Sequence, residues 1–149
     1  MAYNTIKIKK YSDVIEECEA AAALYPGALI EIDSNGAVQN NSDSALICQK
    51  MVALEDELQG NGIDDAFAAE DRVQCWIMGP GDVAYMILYD GENVVIGDYL
   101  ESNGDGTLIK LVSGVALFVA LEALDLSGSS GAETSGELGY NKRIAVRAL

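Results

Sequence analysis

The sequence predicts a mainly β chain: one small antiparallel domain, barrel- or sandwich-like, with an extended N-terminal arm and at most one or two short helices. Three observations predict it. Between Gly79 and Lys110 the turn pairs Pro80-Gly81, Asp90-Gly91, Asn103-Gly104 and Asp105-Gly106 separate short runs of β-branched and aromatic residues, the pattern of a small antiparallel sheet. Both ends of the chain alternate apolar and polar residues with period two. Half of the 149 residues are hydrophobic, enough for one sizeable core and too many for a disordered chain.

Residues 1–11 read as the arm and 12–149 as a single β-rich domain. Thr5 to Lys9 alternates strictly, isoleucines on one face and lysines on the other. Ser12 to Tyr25 is rich in alanine and glutamate and predicts a helix by propensity. Asp13 and Glu16 resemble a capping box for it, and Pro26-Gly27 ends it. Ala28 to Asp33 is a short strand, Asn35-Gly36 a tight turn and Val38-Gln39 the start of a return strand. Asn40 to Ser44 is a polar loop. Ala45 to Leu58 stays open between helix and strand. Ile47, Met51, Leu54 and Leu58 have helical spacing, yet Met51 to Leu54 also suits a buried strand. Gln59 to Asp71 is a long surface connection.

Arg72 to Met78 is a strand. Val83 to Tyr89 is another, with Val83, Tyr85, Ile87 and Tyr89 on one face and Ala84, Met86 and Leu88 on the other. A strand apolar on both faces is covered on both sides. Asn93 to Leu100 and Thr107 to Val112 continue the meander, and Val115 to Leu124 is apolar and central. Ser127 to Gly139 is a flexible Ser/Gly/Glu-rich loop. Arg143 to Leu149 closes the chain as a strand with Ile144, Val146 and Ala148 on one side.

Charge narrows the function. The chain holds 24 acids against nine bases. Lys7, Lys9 and Lys10 lie in the first ten residues and Lys142, Arg143 and Arg147 in the last eight, where no acid occurs. The body between them therefore repels a phosphate backbone, which argues against nucleic acid as a partner. It suits a solvated outer surface that stays soluble at high local concentration. Cys18, Cys48 and Cys75 are odd in number and widely spaced, and the first residues hold no secretory apolar segment. Both features point to a reduced, intracellular site of synthesis. The longest apolar run, Gly114 to Leu121, stops at Glu122, short of a membrane span.

Catalytic patterns are sparse. Histidine is absent, which removes the commonest acid–base group and metal ligand. Cys48 and Cys75 sit in apolar or strand settings that favour inert thiols. Asp64-Asp65, Glu70-Asp71 and Glu55-Asp56-Glu57 are neighbours along loops, whereas hydrolysis needs two acids converging across a cleft. Asn103 to Gly106, flanked by Asp98 and Glu101, lacks the alternate ligand spacing of a calcium loop and reads as a hairpin. Gly79 to Asp82 has no phosphate-loop lysine. Trp76, Tyr85, Tyr89 and Tyr99 suit a core or a subunit interface. No cofactor, metal or catalytic residue is therefore expected.

Several segments, in order along most of the chain, resemble the capsid decoration (cement) proteins of tailed bacteriophages. They are ALYPGALIE at Ala23–Glu31, MVALEDELQG at Met51–Gly60, GIDDA at Gly62–Ala66 and DGEN at Asp90–Asn93. GDYLESNGDGTL at Gly97–Leu108, ALEALDLS at Ala120–Ser127 and KRIAVR at Lys142–Arg147 follow. Ser42-Asp43-Ser44 departs from the His-, Ala- and Gly-rich loop of relatives, so that loop's contacts are not carried over.

The resemblance implies a mainly β fold and a structural, non-enzymatic virion protein. It would be made in the bacterial cytoplasm and coat the outside of an expanded head, as a homotrimer at local threefold positions. The partner it implies is the major capsid protein. It tilts Met51 to Leu54 towards strand. On this reading Tyr3, Ile6, Lys7, Ile8, Lys9 and Lys10 form the capsid-binding arm, which adds to a capsid sheet edge. Val83, Tyr85, Ile87 and Tyr89, or residues within Val115 to Leu121, form the subunit interface. Two other classes remain open: a soluble β-barrel module binding carbohydrate or protein, and an acid-pair hydrolase.

Overall fold

The computed structural model describes residues 3–128 and 142–149. It is mainly β, with 41 % strand against 2 % helix, so the expected class holds. The strands among the described residues are β1 (Lys7–Lys9), β2 (Val14–Glu19), β3 (Ile30–Ile32), β4 (Val38–Asn40), β5 (Met51–Ala53), β6 (Arg72–Ile77), β7 (Val83–Leu88), β8 (Asn93–Val94), β9 (Tyr99–Ser102), β10 (Leu108–Lys110), β11 (Phe118–Ala120), β12 (Leu124–Asp125) and β13 (Lys142–Ala148). One 3-10 turn is found among the described residues, at Glu57–Gln59. Beyond Gly128, the loop expected at Ser127 to Gly139 lies outside the described residues.

Five strands close into a barrel in the order β7-β10-β9-β11-β13 and back to β7. Closure leaves these strands no free edge. The β13–β7 seam runs antiparallel from Lys142 opposite Leu88 to Arg147 opposite Val83. Alternation fills the interior: Ala84, Met86 and Leu88 of β7 meet Leu100, Leu108, Phe118, Ala120, Ile144, Val146 and Ala148 in one core. Ile144, Val146 and Ala148 share that inner face, as their period predicts.

β2, β6 and β5 form a second antiparallel sheet against the barrel. Its β6 is buried on both faces. Trp76 joins the barrel core, whereas Val73 and Cys75 join a second core with Leu24, Ile30, Val38, Met51 and Phe67. β3 and β4 pair across the Asn35-Gly36 turn, as expected. The remaining pair is β8 with β12.

Five expectations are corrected. The predicted helix over Ser12 to Tyr25 is strand β2, registered from Val14 opposite Ile77 to Glu19 opposite Arg72. Tertiary pairing overrides a propensity worth only fractions of a kcal/mol per residue. Asp13 caps nothing and instead pairs with Lys7 and Lys10.

Pro26-Gly27 ends no helix. It wedges between two sheets: the Gly27 amide donates to Ala53 O at 2.8 Å and its carbonyl accepts from the Ile87 amide at 3.1 Å. Gly27 has φ +91°, and a Cβ there would lie 2.9 Å from Tyr85 O and from Arg143 Nε, so no larger residue fits.

The Gly79 to Lys110 meander is split between sheets. β6 and β7 do not pair, β7 meets β10 in parallel, and only β9 and β10 make the expected hairpin. Met51 to Ala53, left open by periodicity, is a fully buried strand.

The N-terminal arm is extended but not free. β1 pairs with β7, and Ile6 is fully buried in the barrel core. The Glu55 carboxylate holds its start, accepting from Thr5 Oγ1 at 2.7 Å and the Ile6 amide at 3.1 Å. The flank of β7 away from β13 is thus covered three times: its amides at Tyr85, Ile87 and Tyr89 donate to Ile6, Gly27 and Leu108.

Candidate functional site

The turn from β6 to β7 is built around Asp82, which is fully buried. Its carboxylate accepts from the Tyr11 amide at 2.6 Å, the Gly79 amide at 2.8 Å, and the Ser12 hydroxyl and amide at 2.7 and 3.2 Å. Its carbonyl accepts from the Ala148 amide at 2.9 Å. Burial works to raise its pKa, but these donors outweigh it and hold the carboxyl below its ordinary value. One side chain therefore fixes the segment after β1, the start of β7 and the end of β13.

Those three strands lie side by side, and their register sets a surface row. Lys9 on β1 and Arg147 on β13 stand opposite Val83 from its two sides. Arg147 in turn stands opposite Val119 of β11, and Val119 opposite Tyr99 of β9. Directly opposed residues project from the same face of a sheet. Lys9 and Arg147 are exposed, Val119 is half-buried and Tyr99 is 53 % exposed. Neither cation has an ion-pair partner among the described residues. In a chain with nearly three acids per base, two unpaired cations on one acid-free row are notable. A polar rim with Arg and Tyr around aliphatic residues is the composition of a protein-binding surface.

The other expected arm residues serve the fold. Ile6 is core, so its expected capsid contact is ruled out in this conformation. Tyr3 packs its ring on Tyr85, centroids 5.2 Å apart at 68°. Ile8 is half-buried. Lys7 and Lys10 share Asp13, at 3.4 and 2.8 Å.

The expected subunit interface on β7 is corrected too. Val83 and Ile87 are buried within the chain and Tyr85 is half-covered, which leaves Tyr89, 38 % exposed, as the one open member. The doubly apolar pattern meant cover by the chain's own segments. Arg143, read as a basic end, is also buried. It donates from Nε and Nη2 to Pro26 O at 3.1 and 2.9 Å and pairs with Asp64 at 3.0 Å. Burial lowers its pKa and the Asp64 carboxylate opposes that.

The adjacent acids do not converge. Asp65 accepts from the Gly62 amide and Asp71 from the Ala68 amide, each closing its own turn. Asp105 likewise accepts from the Thr107 amide and from Asn103 Nδ2 within the β9–β10 hairpin. Burial pushes the Cys48 thiol up to about 11; burial and then neighbouring Cys18 push Cys75 up to about 12. Such thiols are protonated and unreactive at neutral pH. A cleft of about 280 Å³ beside Tyr85, Glu122 and Arg143 is lined by side chains already engaged in the fold.

No protein-family model and no curated protein matches this chain.

Proposed function

We propose that this chain is a decoration protein of a tailed-phage head. It binds the outer surface of the expanded capsid as a trimer and stiffens it against the pressure of packaged DNA. The observation that carries this reading is the Lys9–Val83–Arg147–Val119–Tyr99 row, a basic strip on a chain of net charge −15. The cations steer the protein to an acidic surface of the major capsid protein, and Tyr99 with half-buried Val119 supplies apolar area. Each contact is modest, but three strips on one trimer act together through effective concentration. The acidic remainder faces solvent and keeps coated particles apart. The segment resemblances described above support the same reading, and the covered β1 moves the contact from a free arm to the barrel wall.

The test is co-sedimentation with expanded, DNA-free heads assembled from the major capsid protein of the same genome. Lys9→Glu with Arg147→Glu should weaken binding by about tenfold or more, and rising salt should weaken the wild type. A double variant that sediments like the wild type sinks this surface.

A further inference from the structure

We propose that a second copy of the chain docks on a charge-free patch formed by two loops beside β9. The loops are the segment through Leu46 and Ile47 and the arch from Leu111 to Leu117. Ile47 is 75 % exposed, Leu46 58 %, Val112 82 % and Val115 39 %. The two loops are locked together. The Ala45 amide donates to Ser102 O at 3.0 Å, and the Val115 amide donates to Ala45 O at 3.1 Å. Gly114 passes so close that a Cβ there would lie 2.6 Å from Ala45 Cα. Beneath the arch, Glu101 is 3 % exposed and accepts from the Gly114 amide at 2.8 Å.

The patch is therefore a fixed shape and not a loose loop. Ala45 is held at φ 63°, one of only two non-glycine residues with positive φ among those described. Backbone held in an unfavourable region marks positions the fold has a reason to keep. Adjacent large apolar side chains on an otherwise polar surface mark interaction sites.

Charge selects the occupant. Ser44 to Gln49 and Leu111 to Leu121 contain no charged residue, in a chain with 24 acids. A cationic partner is drawn to the acidic faces and gains nothing here. Two copies repel each other wherever acids face acids. A neutral apolar patch meeting the same chain adds no like-charge pair and buries no unpaired charge. The arch adjoins the Lys9–Arg147 strip, since the Leu111 amide donates to Tyr99 O at 2.9 Å, but its own exposed side chains are uncharged.

This assignment rests on the proposed coat-protein reading only for the number of copies. The experiment measures mass in solution by light scattering for the wild type, Val112→Asp and Ile47→Asp. Circular dichroism checks the fold and co-sedimentation checks head binding. The wild type should self-associate, and each aspartate should raise the dissociation constant by about a hundredfold or more. Both side chains lie mostly in water, so both variants should fold, and either alone decides the matter. A monomeric wild type, or variants that associate like it, overturns the patch even if heads are still bound. A self-associating wild type that loses assembly in the variants but never binds heads upholds the patch and sinks the capsid reading instead.

Discussion

Asp82 shows how much a single residue can decide here, and how little of that is written locally. The sequence marks Gly79 to Asp82 as a turn, but the donors that fill the carboxylate include Tyr11 and Ser12, some seventy residues away. Replacing Asp82 by Ala leaves these buried donors without an acceptor and should cost about 3 kcal/mol, read by urea unfolding. The pH dependence has a definite sign. The folded carboxyl titrates below its ordinary 3.8, so its contribution is complete above that value and is lost as pH falls through the depressed one. The stability gap between wild type and Asp82→Asn should therefore shrink from neutral pH towards about pH 2. A gap that is constant across that range contradicts the assignment. Arg143 teaches the same lesson. Period two puts it on the outer face of β13, which is correct, but the cover supplied by Pro26 and Asp64 comes from remote loops. No local pattern announces that an outward arginine is buried.

At the scale of elements, strands with strong alternation were legible and those in conflict with propensity were not. β13 follows its period, and β3 and β4 follow their turn signal. β2 does not, because Glu and Ala favour helix locally while Ile15 and Cys18 each face one of the two cores. Its exposed Glu16, Glu17 and Glu19 then protect an outer strand from pairing with its own kind. β1 was legible as a strand but not as one docked on the barrel, since an Ile–Lys alternation looks alike on a free arm and on a docked one. Two substitutions separate the roles. Ile6→Ala should cost about 3 kcal/mol of stability, whereas Lys9→Ala should change it by about 0.5 kcal/mol or less. Chemical unfolding of both variants reads this out, and an Ile6→Ala protein as stable as the wild type would return the arm to solvent.

Over the whole molecule, the fold converts a charge pattern into surfaces. The sequence shows bases at both ends and acids between. It cannot show that Lys9 and Arg147 flank one valine, because that needs β1 and β13 on opposite sides of β7. Nor can it show that Lys7, Lys10 and Arg143 are consumed by Asp13 and Asp64. The described residues then give an acidic barrel carrying a cationic strip and a neutral apolar patch, surfaces of different chemistry. The most direct measurement is co-sedimentation of the purified wild-type protein with expanded heads and, in parallel, with compact precursor heads of the same capsid protein. Saturable binding to the expanded heads alone, weakened by salt, is the predicted result. Absence of binding to expanded heads, or equal binding to both forms, would contradict it.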